Sequence, residues 1–346
     1  MTAATIHTDA VIVGAGPVGL FQAFQLGLQD IRSHIIDALP HVGGQCVELY
    51  ADKPIYDIPG IPVCTGRELV AQLQTQIKPF SPTFHLNQEV TAVTRLDDGT
   101  SSVTTSTGQH FVCKVLVIAA GVGAFQARKL AVEGAAELEG THVHYRLGEP
   151  ARFAGHDVVV MGGEESAVAA ALKLTLETQA PKSVTLMHRR DVFTAEPVLL
   201  QAMRDAVSRG KLQLQTGQPI ALLSDTNQLH TVQVATPDGQ TLERPAQHVL
   251  AFLGLSPKLG PVANWGLAME RKQLVVNTET FATDVSGIFA VGDINTYPGK
   301  KKLILCGFHE ATLAAFGAAA IVHPTRKTLL QYTTTSTELH RLLGIA

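Results

Sequence analysis

The residues with the clearest chemical meaning are the glycines of a G-x-G-x-x-G segment, Gly14, Gly16 and Gly19. An apolar run from Asp9 to Val13 precedes them and predicts a buried strand, and a helical pattern that begins at Pro17 follows them. In this context Gly14 permits a tight turn, Gly16 lets the backbone approach a pyrophosphate, and Gly19 lets helix and strand pack closely. The helix N-terminus supplies N–H donors and positive potential. The segment predicts a dinucleotide-binding turn; the alternative is a glycine turn that only packs helix on strand.

Asp37 indicates which dinucleotide this turn takes. It ends the next predicted strand, which begins at Ser33, and it stands roughly 20 residues beyond the turn, as a ribose-binding acid does. A carboxylate accepts hydrogen bonds from a free ribose 2′-hydroxyl but repels a 2′-phosphate. The first site therefore suits FAD or NAD rather than NADP.

A second glycine-rich turn lies at Gly162 and Gly163, between an apolar strand, Asp157 to Met161, and a helix that contains Ser166. Glu164 stands where a further glycine is common in such turns. Its carboxylate is unfavourable next to a pyrophosphate. The sequence thus predicts a second, degenerate nucleotide site.

The strand after the second turn runs into His188, Arg189 and Arg190 instead of an acid. Guanidinium groups offer planar, bidentate and permanently charged donors, which suit a ribose 2′-phosphate. The alternative is a solvated basic strand end. Because the pair follows the strand that carries the ribose-binding residue in such folds, we favour NADPH over NADH for the second site.

Composition excludes several classes of function. The chain has 346 residues and a net charge of -3, which gives no general attraction for nucleic acid or acidic membranes. Its four cysteines form no C-x-x-C pair and no zinc-like cluster with histidines. No apolar run reaches the length of a membrane span and no signal pattern opens the chain, so a cytoplasmic protein without a membrane is expected.

The same unit, a βαβ segment followed by a β-hairpin, occurs twice, and its glycine turns start 148 positions apart, at Gly14 and Gly162. This repeat predicts an α/β fold with two Rossmann-like domains of the three-layer ββα type, the second inserted in the first. The predicted boundaries are 1–123 with 286–330 for the first domain, 124–285 for the second, and 331–346 for a polar C-terminal tail.

Loops and turns complete this outline. The Gly- and Pro-rich stretch from His41 to Pro62 is expected to be a loop. A hairpin is expected from two strands, around Ala221 to Leu223 and Val232 to Thr236, with Pro237-Asp238-Gly239 as its turn.

Asp293 belongs with the first site. It ends the strand that begins at Ile288, and a helix is predicted from Phe308 to Ile321. An acid there can hydrogen-bond the ribitol of a flavin, and the helix N-terminus can stabilise the negative charge of a reduced flavin. The alternative for Asp293 is a helix-capping or turn residue.

Together these residues resemble the two-dinucleotide-domain flavoprotein reductases over nearly the whole chain. Thioredoxin reductase is the best-known relative, but the position of its dithiol, just before the second glycine turn, reads Tyr145-Arg146-Leu147-Gly148 here. Without a thiolate that route of disulfide reduction is excluded. The chain is more similar to the thioredoxin-reductase-like type of ferredoxin–NADP reductase. The similar segments are Gly43-Gly44-Gln45, Tyr50, Tyr56-Asp57-Ile58-Pro59-Gly60, Tyr297-Pro298-Gly299-Lys300, Lys302-Leu303-Ile304 and a C-terminal extension from about Lys327.

The resemblance implies one non-covalent FAD per subunit and NADPH as substrate. The implied FAD contacts are Asp37, Gln45, Tyr50, Val90, Phe125, Asp293 and Thr334. Tyr50 would stack on one face of the flavin, and Tyr332 in the tail would cover the other, with no acid or base residue required. It also implies a homodimer in which the tail of one subunit reaches the flavin of its partner.

The implied activity is hydride transfer between NADPH and flavin N5, followed by single-electron exchange with ferredoxin or flavodoxin. Lys300, Lys301 and Lys302 are candidate docking residues for such an acidic partner; the alternative is an ordinary basic loop.

Two departures from the family pattern, besides Glu164, are Cys46 after Gln45 and His309 at the predicted helix start. The rival functions are another NADPH-dependent flavin reductase or diaphorase, a flavin monooxygenase or oxidase, and a redox sensor that binds FAD and NADPH without turnover.

Overall fold

The structure, a computed structural model, describes residues 4–326 and 332–345, without the side chains of residues 124–127 and 255–258. The chain forms two compact units, of which the first joins Met1–Ala124 to Pro257–Ala346 and the second is Phe125–Ser256.

The described chain contains strands and helices that alternate as the two-unit prediction requires. In chain order the strands are β1 (Ile6–Val13), β2 (Ser33–Ile36), β3 (Pro54–Ile55), β4 (Cys64–Thr65), β5 (Thr83–His85), β6 (Val90–Arg95), β7 (Ser101–Thr105), β8 (His110–Ile118), β9 (Ala124–Ala127), β10 (Val143–His144), β11 (Asp157–Met161), β12 (Ser183–His188), β13 (Gln213–Thr216), β14 (Gln218–Asp225), β15 (Gln228–Ala235), β16 (Thr241–Pro245), β17 (His248–Ala251), β18 (Leu255–Lys258), β19 (Met269–Glu270), β20 (Gln273–Val275), β21 (Ile288–Ala290) and β22 (Asn295–Thr296). The α-helices are α1 (Pro17–Leu28), α2 (Gln45–Tyr50), α3 (Gly66–Ile77), α4 (Glu165–Leu176), α5 (Pro197–Ser208), α6 (Ile304–Val322) and α7 (Thr337–Leu343).

The first unit is built on a sheet in which β5, β2, β1 and β8 lie side by side and parallel, and β21 pairs with the end of β8. The start of β8 pairs antiparallel with β7, which pairs with β6. The burial pattern of β8 differs between its start, which pairs with antiparallel β7, and its end, which lies within the parallel sheet. Its first residues alternate between buried and more accessible, whereas Val115 to Ile118 are wholly buried. Strands of parallel sheets that are covered on both faces show such continuous apolar runs.

Local sequence explains where the helices of this unit begin. Pro17 occupies the first turn of α1, where its missing N–H costs nothing. Thr65 caps α3 by accepting from the Glu68 amide at 3.2 Å, while the Glu68 carboxylate accepts from the Thr65 amide at 2.8 Å. This reciprocal capping box satisfies two otherwise unpaired backbone donors.

Helix α6 is long and apolar enough to cross a membrane by length and composition alone. One face of it nevertheless lies in the hydrophobic core of the first unit. The wholly buried residues of this face are Ala311, Ala314, Ala315 and Ala318. A Cβ on Gly307 would lie within 2.4 Å of the Val18 side chain, so glycine is needed for α6 to approach α1 this closely. The burial of this face indicates a core helix of the first unit.

The second unit has a parallel sheet in the order β10-β17-β11-β12-β13 and an antiparallel sheet of β14, β15 and β16. Along β11, Val159 and Met161 pack in one apolar cluster with residues of the small sheet, and Val158 and Val160 pack in another with residues of α4 and α5. The alternation follows from the two-residue period of a strand. It produces the predicted order of layers, with one face of the parallel sheet covered by strands and the other by helices.

Four details differ from the sequence predictions. The units divide at residue 257 rather than 286, because Val262, Leu274 and Phe281 are buried in the core of the first unit. Pro237-Asp238-Gly239 joins β15 to β16, whereas the turn between β14 and β15 is at residues 226–227.

The other two differences are helices, one in the stretch expected to be a loop and one in the segment predicted as a polar tail. The stretch from His41 to Pro62 contains α2, which begins after Gly44 in a positive-φ conformation (51°) and is fixed by the buried Cys46. The tail contains α7, which is anchored by the buried Leu339. Both helices are shorter than eight residues, so tertiary contacts rather than intrinsic propensity stabilise them.

A cluster of histidines marks the second unit. The His144 Nε2 and His248 Nδ1 atoms lie 3.3 Å apart on the neighbouring strands β10 and β17. The rings of His142 and His156 lie 5.4 and 5.1 Å from that of His248. Burial is the largest cause that lowers the pKa of His144 and of His248 to about 4, and both the neighbouring imidazoles and Arg152 add to it.

This cluster predicts that the protein loses stability in mild acid. The folded-state pKa values lie below the ordinary value of 6.5, so the folded state holds these imidazoles neutral. Their contribution is complete above pH 6.5 and is lost as the pH falls toward 4, by about 1.4 kcal/mol for each unit of pKa depression. Urea unfolding followed by circular dichroism from pH 7.5 to 5 measures the loss.

In the double variant His144→Gln/His248→Gln the free energy of unfolding should depend less steeply on pH than in the wild type. His230→Gln, at an exposed site, should keep the wild-type dependence. Equal slopes in all three proteins would refute the assignment.

Candidate functional site

The first glycine turn is held between β1, α1 and β8 by close backbone contacts. A Cβ on Gly14 would lie 2.4 Å from the Ala119 carbonyl oxygen, and Gly14 has a φ of +112°, which side chains disfavour. A Cβ on Gly19 would lie 1.9 Å from the Gly14 carbonyl oxygen. Both glycines are therefore required by the fold itself.

Gly16 differs from its two neighbours in the motif. Its φ is -70°, and a Cβ there would meet only the Cα of Gly44, at 3.9 Å. Among the described residues no atom excludes a side chain here, and the space above Gly16 lies at the N-terminus of α1. An open position beside helical N–H donors fits the pyrophosphate of a dinucleotide.

Asp37 lies beside this turn. One carboxylate oxygen accepts from the Ala15 amide at 2.6 Å, and the other accepts from the Leu39 amide at 2.8 Å. Burial raises the pKa of Asp37, and these two hydrogen bonds oppose that effect. The Gln88 amide donates to the Asp37 carbonyl at 3.0 Å, which brings the chain just before Val90 to the same end of the sheet. The geometry suits a carboxylate that receives a ribose hydroxyl.

The tertiary fold brings Gln45 and Asp293 together across 248 positions of the sequence. The Gln45 Nε2 atom lies 3.5 Å from the Asp293 carboxylate, at the limit of a hydrogen bond. Tyr50 follows on the same short helix as Gln45, and its hydroxyl lies 3.3 Å from the Cys46 thiol. Burial, followed by this thiol contact, raises the pKa of Tyr50, so its ring remains a neutral phenol. A neutral half-buried aromatic ring suits stacking on a flat heterocycle.

A buried polar network lies beneath the turn that carries Asp293. The wholly buried Glu310 of α6 accepts from the Gly292 amide at 2.6 Å, the Asn295 amide group at 2.8 Å and the Tyr297 hydroxyl at 3.0 Å. Lys300 completes the network through an ion pair with Glu310 and a 2.8 Å hydrogen bond to the Gly292 carbonyl. Burial and the nearby Glu310 raise the pKa of Tyr297 to about 12, so its hydroxyl remains a donor.

This network corrects one sequence prediction. Lys300 was predicted as a docking residue for an acidic partner, but only 7% of its side chain is exposed, and its ammonium group forms an ion pair with Glu310. Lys301 and Lys302 are exposed and stay candidates. The sequence contained a signal for the network, because Glu310 is the only acidic residue in the mostly apolar helix α6.

The remaining predicted FAD contacts have different surroundings. The Val90 side chain is buried in the core, so it can meet a ligand only through its main chain. The side chain of Phe125 lies outside the described residues. Tyr332 and Thr334 are exposed, with 68% of Tyr332 accessible. The tail helix α7 forms one wall of a pocket against residues 27–32, at the end of α1 farthest from Gly16.

In the second unit the segment after β12 folds back onto the second glycine turn. The His188 ring packs on Gly163, where a Cβ would lie 2.5 Å from it, and its Nδ1 atom lies 2.9 Å from the Val192 carbonyl oxygen. The Thr194 amide donates to the Gly163 carbonyl at 2.8 Å. These contacts use His188 for packing and leave the intervening Arg189 and Arg190 exposed beside the turn.

Glu164 and Ser166, both exposed, flank the start of α4 in this turn. Glu164 is the N-cap residue, and its side chain makes no capping hydrogen bond. Its charge thus stands at the helix terminus where a pyrophosphate would bind. NADPH binding by this set of residues stays a prediction.

The contrast between the glycines gives a test of the first site. Gly16→Ala should leave the stability of the apoprotein near that of the wild type and weaken FAD binding at least about tenfold, because the new methyl group occupies ligand space. The matched control is Gly19→Ala, which should lower the apoprotein melting temperature because its methyl group would meet backbone. Thermal unfolding and fluorescence titration of apoprotein with FAD measure both effects. Wild-type FAD affinity in Gly16→Ala would show that the ligand lies elsewhere.

Comparison with known proteins agrees with this arrangement. Residues 47–292 match the family of pyridine nucleotide-disulphide oxidoreductases, and residues 12–65 match an NAD(P)-binding Rossmann-like domain. Among solved structures, thioredoxin reductase from Lactococcus lactis superposes with a TM-score of 0.60 at 25% identity, covering 91% of this chain and 99% of that one. The bacillithiol disulfide reductase Bdr from Staphylococcus aureus, at 20% identity, gives 0.63 over 91% of this chain and 99% of its own, and shows the shared fold.

Curated relatives are much more similar in sequence. Ferredoxin–NADP reductase 2 of Cupriavidus metallidurans is 54% identical over 98% of this chain and 92% of its own length. Ferredoxin–NADP reductase of Methylibium petroleiphilum is also 54% identical, over 98% and 93%. These matches confirm the α/β fold with Rossmann-like domains, the flavoprotein oxidoreductase class and the cofactors FAD and NADP(H). The chain belongs to the ferredoxin–NADP reductase family, in its thioredoxin-reductase-like type.

Proposed function

We propose that this protein is an NADPH:ferredoxin oxidoreductase that binds FAD in its first unit and NADPH in its second. The observation that carries the proposal is the full-length similarity to ferredoxin–NADP reductases, and a first glycine turn with an open Gly16 beside the Asp37 carboxylate supports it. FAD supplies the conversion between a two-electron hydride donor and a one-electron acceptor.

The residues of the first unit bind and orient that cofactor. The turn at Gly16 and the N-terminus of α1 would receive the pyrophosphate, and Asp37 the ribose. Gln45 and Asp293 lie side by side, 3.5 Å apart, and would both hydrogen-bond the ribityl chain. Tyr50 would cover one face of the ring system and exclude water from it.

The second unit would select the coenzyme. Arg189 and Arg190 are exposed on a segment that His188 and Thr194 hold against the glycine turn. Their position at the ribose end of the predicted site suits a 2′-phosphate, which NADH lacks. The alternative of a redox sensor without turnover draws its support from Glu164, which would oppose the pyrophosphate.

The tail supports a homodimer. Helix α7 packs at the end of α1, which has 12 residues and hence a length of about 18 Å from the glycine turn. Tyr332 and Thr334 are exposed in this position. We infer that they cover the flavin of the partner subunit rather than that of their own chain, in a cytoplasmic dimer.

The activity has a direct test. Purified protein should reduce cytochrome c with NADPH in a reaction that depends strongly on added ferredoxin, and NADH should be a much poorer donor. Arg189→Ala/Arg190→Ala should raise the KM for NADPH at least about tenfold and leave that for NADH within a few-fold, because charge-assisted hydrogen bonds to the 2′-phosphate are lost. Rapid reduction of the flavin without ferredoxin dependence would require another acceptor. The absence of any flavin reduction would favour the sensor.

Glu164 provides a second test, of nucleotide affinity. Removing its charge should tighten NADPH binding by roughly fivefold, since two charges about 4 Å apart in water interact by about 1 kcal/mol. Glu164→Gln removes the charge at nearly constant size, and Glu164→Gly also removes the side chain from a position that tolerates glycine. Fluorescence titration with NADPH measures the dissociation constant. A weaker or unchanged affinity in both variants would mean that Glu164 does not face the nucleotide.

A further inference from the structure

The ion pair between Lys300 and Glu310 is unusual because both members are buried, with 7% and 0% of their side chains exposed. Desolvating two charges costs free energy that their attraction often fails to recover. A well-packed apolar pair would stabilise the fold equally or better. We therefore expect a role of the pair other than stabilising the fold. The contacts around it indicate that it fixes the segment that contains Asp293.

Within the part of the chain that the structure describes, the donors to the Glu310 carboxylate come from one nine-residue segment. Gly292 contributes its amide, Asn295 and Tyr297 their side chains, and Lys300 its ammonium group. One carboxylate on α6 thus fixes the whole stretch that contains Asp293. Lys300 fastens the same stretch from its other end by donating to the Gly292 carbonyl at 2.8 Å.

One residue in this segment and one packed beside it have positive φ angles. Gly292 has a φ of +79°, outside the range that most residues adopt. The neighbouring Phe281, whose ring lies 5.5 Å from that of Tyr297, has a φ of +56°, which is strained for an aromatic residue. Strained backbone persists where surrounding contacts over-determine it, and such places cluster at ligand sites.

We propose that Lys300 and Glu310 are positioning residues that hold the Gly292–Asp293 turn in the geometry that binds FAD. This inference rests on the proposed role of Asp293 as a flavin contact. Neither side chain needs to touch FAD, since they act through the turn. FAD affinity then depends on the pair even where the apoprotein stays folded.

The pair predicts an asymmetric pattern among variants. Lys300→Met leaves an uncompensated buried carboxylate with its three other donors, and it also removes the hydrogen bond from Lys300 to the Gly292 carbonyl. Glu310→Gln leaves Lys300 without its counter-charge. The double variant Lys300→Met/Glu310→Gln has no buried charge, so it should recover part of what each single variant loses.

The experiment compares FAD affinity with apoprotein stability. Apoproteins are titrated with FAD by fluorescence well below each melting temperature. Lys300→Met and Glu310→Gln should each weaken FAD binding at least about tenfold. The double variant should bind FAD more weakly than the wild type but more tightly than either single variant. The matched control is the exposed ion pair Lys129–Glu139 of the second unit, for which Lys129→Met and Glu139→Gln should bind FAD as the wild type does.

The outcomes separate the inference from the proposed function. Wild-type FAD affinity in folded Lys300→Met and Glu310→Gln, with only lower melting temperatures, would show a merely structural pair and overturn the inference. If Lys300→Met fails to fold, the affinities of Glu310→Gln and the double variant decide in the same way. A wild-type apoprotein that does not bind FAD would instead refute the proposed function.

Discussion

The first unit depends on the close approach of three backbones at the glycine turn. Gly14 lies against the Ala119 carbonyl, and Gly19 lies against the Gly14 carbonyl, with no room for a methyl group at either place. These contacts set α1 directly on β1 and β8 and point its N-terminus at the open position of Gly16. The predicted pyrophosphate site follows from this packing, because the N–H groups of the helix are presented where the chain has no side chain.

A second constraint joins parts of the chain that are distant in sequence. Glu310, buried in α6, collects four donors from the segment that ends at Lys300, and Gly307 of the same helix packs on Val18 of α1. The glycine turn, the Asp293 turn and the start of α6 are therefore fixed relative to one another within the first unit. A binding site assembled from three separate segments requires such cross-links, since each segment alone is a short loop.

The two units show how one architecture can acquire different selectivity. Both place a glycine turn between a buried strand and a helix, but the first has an acid at the ribose position and the second has two arginines. In the first, Asp37 is held by two backbone amides. In the second, His188 fills the space over Gly163 and holds the basic segment against the turn. The scaffold is shared, and we expect the residue at the end of one strand to change the preferred ligand.

The sequence by itself determined the repeated unit, most strand and helix positions, the two glycine turns and the family, because each depends on local periodicity or on a contiguous motif. It predicted Asp157–Met161 as a strand with the bounds that the structure has. The tertiary structure decided what depends on contacts between distant residues. It placed residues 257–285 in the first unit, formed the short helices α2 and α7 through burial, and separated the buried Lys300 from the exposed Lys301 and Lys302. Three adjacent lysines look alike in sequence, and only the position of Glu310, ten residues farther on and nearly two turns inside a mostly apolar helix, distinguishes the first from the others.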